Sequence, residues 1–208
     1  MAAENKVQWV YSSTNNQELA ERYDQWAADY DKDLEDDFGW VAPQRCCEVF
    51  AKYVDKAAKI LDAGAGTGLV GKILSGMGYS SLDAMVLSQG MLDESRKKNV
   101  YQGFHQMVMG ESLGFSTDTY DAVITVGVLT VGHAPPSSLD ELVRVTKPGG
   151  HIVFSLRPDV YLNDGFKEKQ QQLEAGGKWK LVLESDPIQL LPKGEPEVMH
   201  QVWVYQAS

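Results

Sequence analysis

Cysteine is scarce in this chain. Its 208 residues hold two, and they are adjacent at Cys46 and Cys47. Neighbouring cysteines build no disulfide framework and lack the spacing of a metal site, so the sequence points to a reduced, cytoplasmic protein. Basic residues are outnumbered, with 19 Lys and Arg against 29 Asp and Glu and a net charge of −10. That balance argues against a nucleic-acid partner, whose phosphates need clustered cations. Long apolar runs are missing too. The longest, Ala122 to Gly132, is broken by glycine and falls short of the ~20 residues of a membrane helix. The N-terminus is polar and has no signal-peptide core. No His/Cys/Asp cluster has metal spacing, and no Ser/His/Asp or Cys/His constellation stands out. No repeat or low-complexity tract occurs.

What is present is the run Ile60-Leu61-Asp62-Ala63-Gly64-Ala65-Gly66-Thr67-Gly68. An apolar stretch ends in an acid, three glycines follow at alternate positions, and the chain then turns helical. This reads as a strand, a tight turn and a helix N-terminus, the place where an α/β sheet binds a nucleotide-like ligand. A dinucleotide turn usually reads G-x-G-x-x-G and offers N–H groups to a pyrophosphate. Here the spacing is G-x-G-x-G, and Asp62 would repel a pyrophosphate. It suits a ligand with an ammonium or sulfonium group.

Strand and helix patterns alternate through the rest of the chain. Residues 1–15 read as polar and loosely ordered. A helix is expected over Asn16 to Glu35, with Leu19, Tyr23, Trp26 and Tyr30 on one face. A second helix, Ala42 to Val54, opens near Pro43. Strands are expected at 59–62, 82–87, 104–109, 120–126 and 151–156. Helices are expected at 68–77, 90–100 and 164–175. A further helix is expected to open on a capping box at Ser138-Leu139-Asp140-Glu141 and to stop at Lys147-Pro148-Gly149-Gly150. Two late strands, 178–185 and 198–206, pair antiparallel at the sheet edge. The expected fold is a doubly wound α/β Rossmann-like sandwich of about seven strands, mostly parallel with an antiparallel C-terminal edge. It forms a single domain over residues 1–208, with an N-terminal cap at 1–45 and a core at 46–208.

Four motifs in order resemble those of class I S-adenosylmethionine (SAM)-dependent methyltransferases of the small-molecule type. They are the Gly-rich turn, Ser88-Gln89-Gly90-Met91-Leu92, Gly110-Glu111-Ser112 and Thr146-Lys147-Pro148-Gly149-Gly150. The segment Tyr23-Asp24-Gln25-Trp26 with Tyr30-Asp31 is similar to the opening of the Williams–Beuren syndrome region methyltransferase-like subgroup. The resemblance spans Tyr23 to Arg157. It implies SAM as cofactor, S-adenosylhomocysteine as product and a small-molecule methyl acceptor. It also implies residue roles. Asp62 would fix the loop and help hold the methionine ammonium, through water or backbone. Gly64, Ala65, Gly66 and Gly68 would let the backbone pass under the methionine and ribose. Met91 would pack on the adenine, Glu111 would accept from its amine, and the Ser112 N–H would reach its ring. Val126 and Gly127 would line the methionine side. Tyr30, with Tyr23 on the same helix, would close over the sulfonium. Met91 as core, Glu111 as a solvated acid and Tyr30 as a structural aromatic are the alternatives.

One position departs from the family. The acid that takes both ribose hydroxyls falls on Val86, beside Leu87, once Ser88, Met91 and Leu92 set the register. Asp83 lies three residues back, on the opposite face of the strand. Losing two bonds to a charged acceptor should weaken SAM binding by about 2–4 kcal/mol. Four accounts fit: Ser88, Gln89 or a water substitutes; the site works with weaker affinity; the chain is changed toward another ligand; or methyl transfer is lost. Candidate catalytic residues are Tyr30 and His133, the latter on the loop after strand four, where an imidazole suits a general base. His133 could equally be a capping or surface residue. Trp40, His133 and Arg157 are candidate substrate contacts, with Tyr11 and Tyr161 as further lid aromatics. Arg157 could instead pair with an acid. A non-catalytic nucleoside-binding module and a repurposed enzyme of the same fold are the competing functions.

Overall fold

The computed structural model describes residues 6–130 and 132–208. Eight strands form: β1 (Ile60–Ala63), β2 (Leu82–Val86), β3 (Gly103–Gln106), β4 (Tyr120–Thr125), β5 (Thr146–Leu156), β6 (Trp179–Glu184), β7 (Ile188–Gln189) and β8 (Met199–Ala207). They make one sheet in the order β3-β2-β1-β4-β5-β8-β6, with β7 beside β8. Strands β1 to β5 run parallel. Strand β8 runs antiparallel to both β5 and β6. The two late strands therefore pair antiparallel at the edge as expected, with β8 tucked inside and β6 outermost.

Among the described residues nine α-helices surround the sheet: α1 (Lys6–Tyr11), α2 (Asn16–Trp26), α3 (Tyr30–Asp33), α4 (Ala42–Phe50), α5 (Leu69–Gly76), α6 (Gln89–Lys97), α7 (Ser138–Val145), α8 (Pro158–Asn163) and α9 (Phe166–Ala175). Successive strand residues point to opposite faces, so the core divides in two. Ile60, Ala84 and Ile124 meet Cys46, Phe50, Leu74 and Met91 from α4, α5 and α6. Leu61, Met85 and Val123 meet Leu139, Leu142, Val160 and Phe166 from α7, α8 and α9. This is the doubly wound sandwich the alternation implied. No helix among the described residues is long and apolar enough to cross a membrane.

Four expectations need correction. The segment before Asn16 is not loose over its described part, because Val7 and Val10 of α1 are buried against Leu19, Trp26, Leu34 and Phe38; residues 1–5 lie outside the described residues. The single helix over 16–35 is broken. It tightens at Trp26, restarts as α3, and ends in a π-helical turn, Leu34–Phe38. The break follows tertiary anchoring: Asp33 accepts from both Trp26 Nε1 (2.8 Å) and Lys6 Nζ (2.6 Å). The capping box does not form. Glu141 turns away to accept from the Leu113 N–H at 2.7 Å and to pair with Arg144, and the buried Ser138 hydroxyl caps nothing. The helix stops before Lys147-Pro148-Gly149-Gly150 as expected, but the strand expected from residue 151 starts five residues earlier. β5 begins at Thr146, directly after α7, and a register shift against Tyr120 and Ala122 absorbs the glycines. Helix α8 was not expected.

Candidate functional site

The strand order reverses at β1 and β4, and a crevice opens at their carboxyl ends, where open α/β sheets bind ligands. It holds about 830 Å³ of atom-free space, counting its mouth. The turn after β1 forms its floor through Gly64, Ala65 and Gly66. Gly64 has φ +86°, and a Cβ there would stand 2.2 Å from the Val128 side chain. Gly66 has φ +53° and nothing within 4 Å of its Cβ position, so its backbone faces open cavity. Both positions need glycine, one for close packing and the other for close approach of a ligand. Val86 and Leu87 from the end of β2, Met91 from α6, and Val126 with Gly127 after β4 form further walls.

The N-terminal helices roof the cavity with Tyr23, Tyr30 and Trp40. Tyr30 meets Trp40 edge-on at 6.5 Å between ring centroids. Two aspartates fasten this roof. Asp24 accepts from the Gly90 N–H at 2.8 Å and from the Ser88 hydroxyl, at the start of α6. Asp31 accepts from the Thr67 hydroxyl and pairs with Lys98 Nζ at 2.8 Å. Lys98 also donates to the Thr67 carbonyl at 2.6 Å. The cap is thus tied to the glycine turn itself. Tyr23 reaches across to His133, with its hydroxyl 2.7 Å from Nε2. Burial pushes the phenols of Tyr23 and Tyr30 well above their ordinary pKa, so both stay protonated.

Of the residues expected from sequence, Tyr23, Tyr30, Trp40, Gly64, Ala65 and Gly66 come together here, as do Val86, Leu87, Met91, Val126 and His133. Besides Tyr11 and Tyr161, five others do not line the cavity. Asp62 is buried behind the turn, where Tyr101 Oη donates to it at 2.6 Å while accepting from the Gly71 N–H at 3.1 Å. Burial raises the Asp62 pKa to about 7, partly offset by the Tyr101 hydrogen bond. Its second carboxylate oxygen has no partner. Asp62 thus lies beneath the turn and outside the cavity lining, where a hold on a ligand's ammonium would run through backbone or water. Gly68 sits at the start of α5 against Tyr101. Glu111 and Ser112 point outward, beyond Met109. Arg157 pairs with Asp159 at 2.6 Å.

Sequence reasoning missed Met107, Val108 and Met109, which take the wall expected of Glu111 and Ser112. The apolar run after β3 was the available signal. It also missed Tyr101, which no local pattern marks. Among the described residues no Lys, Arg, Asp or Glu lines this cavity. A phosphate finds no cation here. A sulfonium or ammonium finds the faces of Tyr23, Tyr30 and Trp40, and a flat heterocycle finds Met91 and Met107. Among the described residues no group of His, Cys, Asp and Glu could hold a metal ion.

Residues 61–154 match the methyltransferase domain family. The human methyltransferase-like protein 27 is 32% identical over 165 residues, covering 76% of this chain and 66% of its own length. A demethylmenaquinone methyltransferase of Clavibacter sepedonicus is 37% identical over 114 residues, covering 52% of this chain and 46% of its own. The chain thus spans between about half and two thirds of the length of these relatives. The solved structure of the cyclase SpnF superposes with a TM-score of 0.72 at 15% identity, covering 93% of this chain and 96% of that one, a likeness of fold alone. Sheet order and the strand–glycine turn–helix unit are those of a Rossmann-like fold. The chain belongs to the class I SAM-dependent methyltransferases.

Proposed function

We propose that this chain transfers a methyl group from SAM to a small-molecule acceptor. The observation that carries the reading is the uncharged, aromatic-roofed cavity over the Gly64–Gly66 backbone. SAM would supply a methyl group already activated on a sulfonium. The Gly64–Gly66 backbone would lie beneath its amino-acid portion, Tyr30 and Trp40 would face the sulfonium, and Met91 with Met107 would sandwich the adenine. The protein's contribution is alignment and exclusion of water, which can supply much of the acceleration in such a transfer. His133, hydrogen-bonded to Tyr23, is placed to take a proton from an acceptor.

The closed roof favours a small acceptor, and the net charge of −10 disfavours nucleic acid. Residues 1–45 act as a cap on a single domain. Cys46 and Cys47 are buried and free, which suits a reducing cytoplasm. A second reading, a nucleoside-binding module or a repurposed enzyme without methyl transfer, is favoured by Val86, which lines the cavity with a side chain that cannot accept a hydrogen bond. Mass spectrometry of any co-purifying ligand, with calorimetric titration of SAM and S-adenosylhomocysteine, tests the cofactor. Release of S-adenosylhomocysteine in the presence of acceptor separates enzyme from module. Failure to bind either nucleoside sinks both readings.

A further inference from the structure

Helix α6 packs against α2 of the cap, and the two cap aspartates grip its two ends. Asp24 accepts from the Gly90 N–H at 2.8 Å, at the start of α6. Asp31 pairs at 2.8 Å with Lys98, the residue that closes α6. The grips stand about 12 Å apart along the helix. Met91, a wall of the cavity, lies between them. The Lys98 side chain is only 15% exposed. Its ammonium holds Asp31 and also, at 2.6 Å, the Thr67 carbonyl. The N–H of that same Thr67–Gly68 peptide donates to the Ala65 carbonyl at 2.8 Å, so the peptide is pinned at both ends. The Thr67 hydroxyl donates back to Asp31. Cap, turn and α6 thus close a ring of charge-assisted bonds. Thr67 lines the cavity, whereas Lys98 and Asp31 do not.

The opposite edge of the cap is held by other means. Leu191 packs among Val7, Val10 and Phe38. Backbone bonds run from the Lys193 N–H to the Phe38 carbonyl at 3.1 Å and from the Val41 N–H to the Leu190 carbonyl at 3.0 Å. Here the cap also changes course, through the π-helical turn and Gly39 at φ +61°. Such turns cluster at functional sites, and a few residues of this kind can absorb a hinge rotation. A nucleoside enters a roofed cavity only if one edge of the roof lifts. Among the described residues no backbone–backbone bond joins the cap to the glycine turn or to α6, so the aspartate edge is the one that can part.

We propose that Lys98 is a positioning residue for the nucleoside site: with Asp31 it latches the lifting edge of the cap to the glycine turn, so that the roof closes and the Thr67–Gly68 peptide is fixed together. Bound nucleoside leaves only when the latch opens, and the latch therefore sets its residence time. The identity of the ligand rests on the SAM reading; the latch belongs to the unliganded chain.

The test uses the full chain in four forms: unaltered, Lys98→Met, Asp31→Asn and the double variant. Methionine keeps much of the stem that Lys98 lays against Gly68 and removes the charge. Hydrogen exchange without ligand reads two amides. Gly90 has its acceptor on the cap and reports lifting; Gly68 reports the turn. Both should exchange about three- to tenfold faster in Lys98→Met, the weight of a partly buried charge pair, with β4 amides unchanged. Asp31→Asn should quicken Gly90 more than Gly68, because Lys98 still holds Thr67. The double variant should be no faster at Gly90 than Lys98→Met, since one contact is lost only once. SAM should dissociate about tenfold faster from Lys98→Met, with association not slowed. Unchanged exchange at Gly90 and Gly68 in Lys98→Met overturns the latch, and additive effects in the double variant overturn the pairing. Exchange that quickens equally in β4 marks a general loss of stability and overturns a positioning role. Equal SAM dissociation from all four forms overturns the control of residence time. SAM bound by none of them, with Gly90 and Gly68 quickened as expected, removes the methyltransferase reading and leaves the latch standing.

Discussion

The Tyr23 hydroxyl lies 2.7 Å from Nε2 of His133, joining the N-terminal cap to the loop after β4. Burial keeps the phenol protonated, and the imidazole tautomer sets which partner donates: with Nδ1 carrying the His133 proton, the phenol donates to Nε2. The ring is further fixed by Tyr11, edge-on at 4.8 Å. The pair can pass a proton from the aromatic cavity to the imidazole through the phenol. Tyr23→Phe keeps the ring and removes the donor. Turnover should fall about ten- to a hundredfold, in the range of lost acid–base assistance, and nitrogen NMR of His133 should show a changed tautomer balance. Unaltered turnover and tautomer would leave Tyr23 a packing residue.

The glycines of the turn separate folding from binding. Gly64→Ala places a methyl 2.2 Å from Val128 at φ +86°, so it should lower thermal stability by an amount on the order of 2–4 kcal/mol. Gly66→Ala meets no protein atom within 4 Å. Its strain at positive φ is about 1–2 kcal/mol, so the fold should persist while the new methyl fills ligand space. Calorimetry and thermal melting together decide this. A stable Gly66→Ala variant that binds SAM as tightly as the unaltered chain would show that the ligand does not lie over the turn.

These contrasts also show what the sequence made legible. The strand-turn-helix at 60–69 is local, and its glycines announce it. The two core faces follow from alternation within each strand, as in Ile60 against Leu61. The partners of the site are not local. Tyr101 reaches Asp62 across 39 residues, and Tyr23 reaches His133 across 110. The cap's helix break depends on Asp33 being held by Lys6 and Trp26, and α1 was hidden because only Val7 and Val10 of its six residues are buried. The adenine-side wall was displaced by a few residues because the chain leaves β3 early, at Gln106, and carries Met107 to Met109 past the cavity before Glu111 turns outward.

Asp62 gives a pH dependence. Its pKa rises from an ordinary value near 4 to about 7 on folding, chiefly through burial. The folded state therefore binds this proton more tightly than the unfolded chain. Its stabilising contribution is fully present below pH 4 and is lost as pH rises through 7, with a slope of about 1.4 kcal/mol per unit between those values. Asp62→Asn, which keeps an acceptor for the Tyr101 hydroxyl, should remove that slope. Denaturant melts of both chains from pH 5 to 8 check it. Parallel pH profiles would mean that Asp62 does not titrate in this window.

Val86 is the sharpest test of the cofactor. It is 9% exposed, pairs in register with Gln106 of β3, and lines the cavity between Met85 and Leu87. The Asp24 carboxylate is fastened near this strand end, already accepting from Ser88 and Gly90, and it does not line the cavity. Val86→Asp should tighten SAM binding at least tenfold by calorimetry, because two ribose hydroxyls gain a charged acceptor. Without ligand the same substitution should cost about 1–3 kcal/mol, since a mostly buried carboxylate then lacks partners. Saturating SAM should recover most of that loss, because a ligand that binds only the folded state raises its stability with occupancy. A variant with unchanged affinity would place the ribose elsewhere and undo the register drawn from Ser88 and Met91.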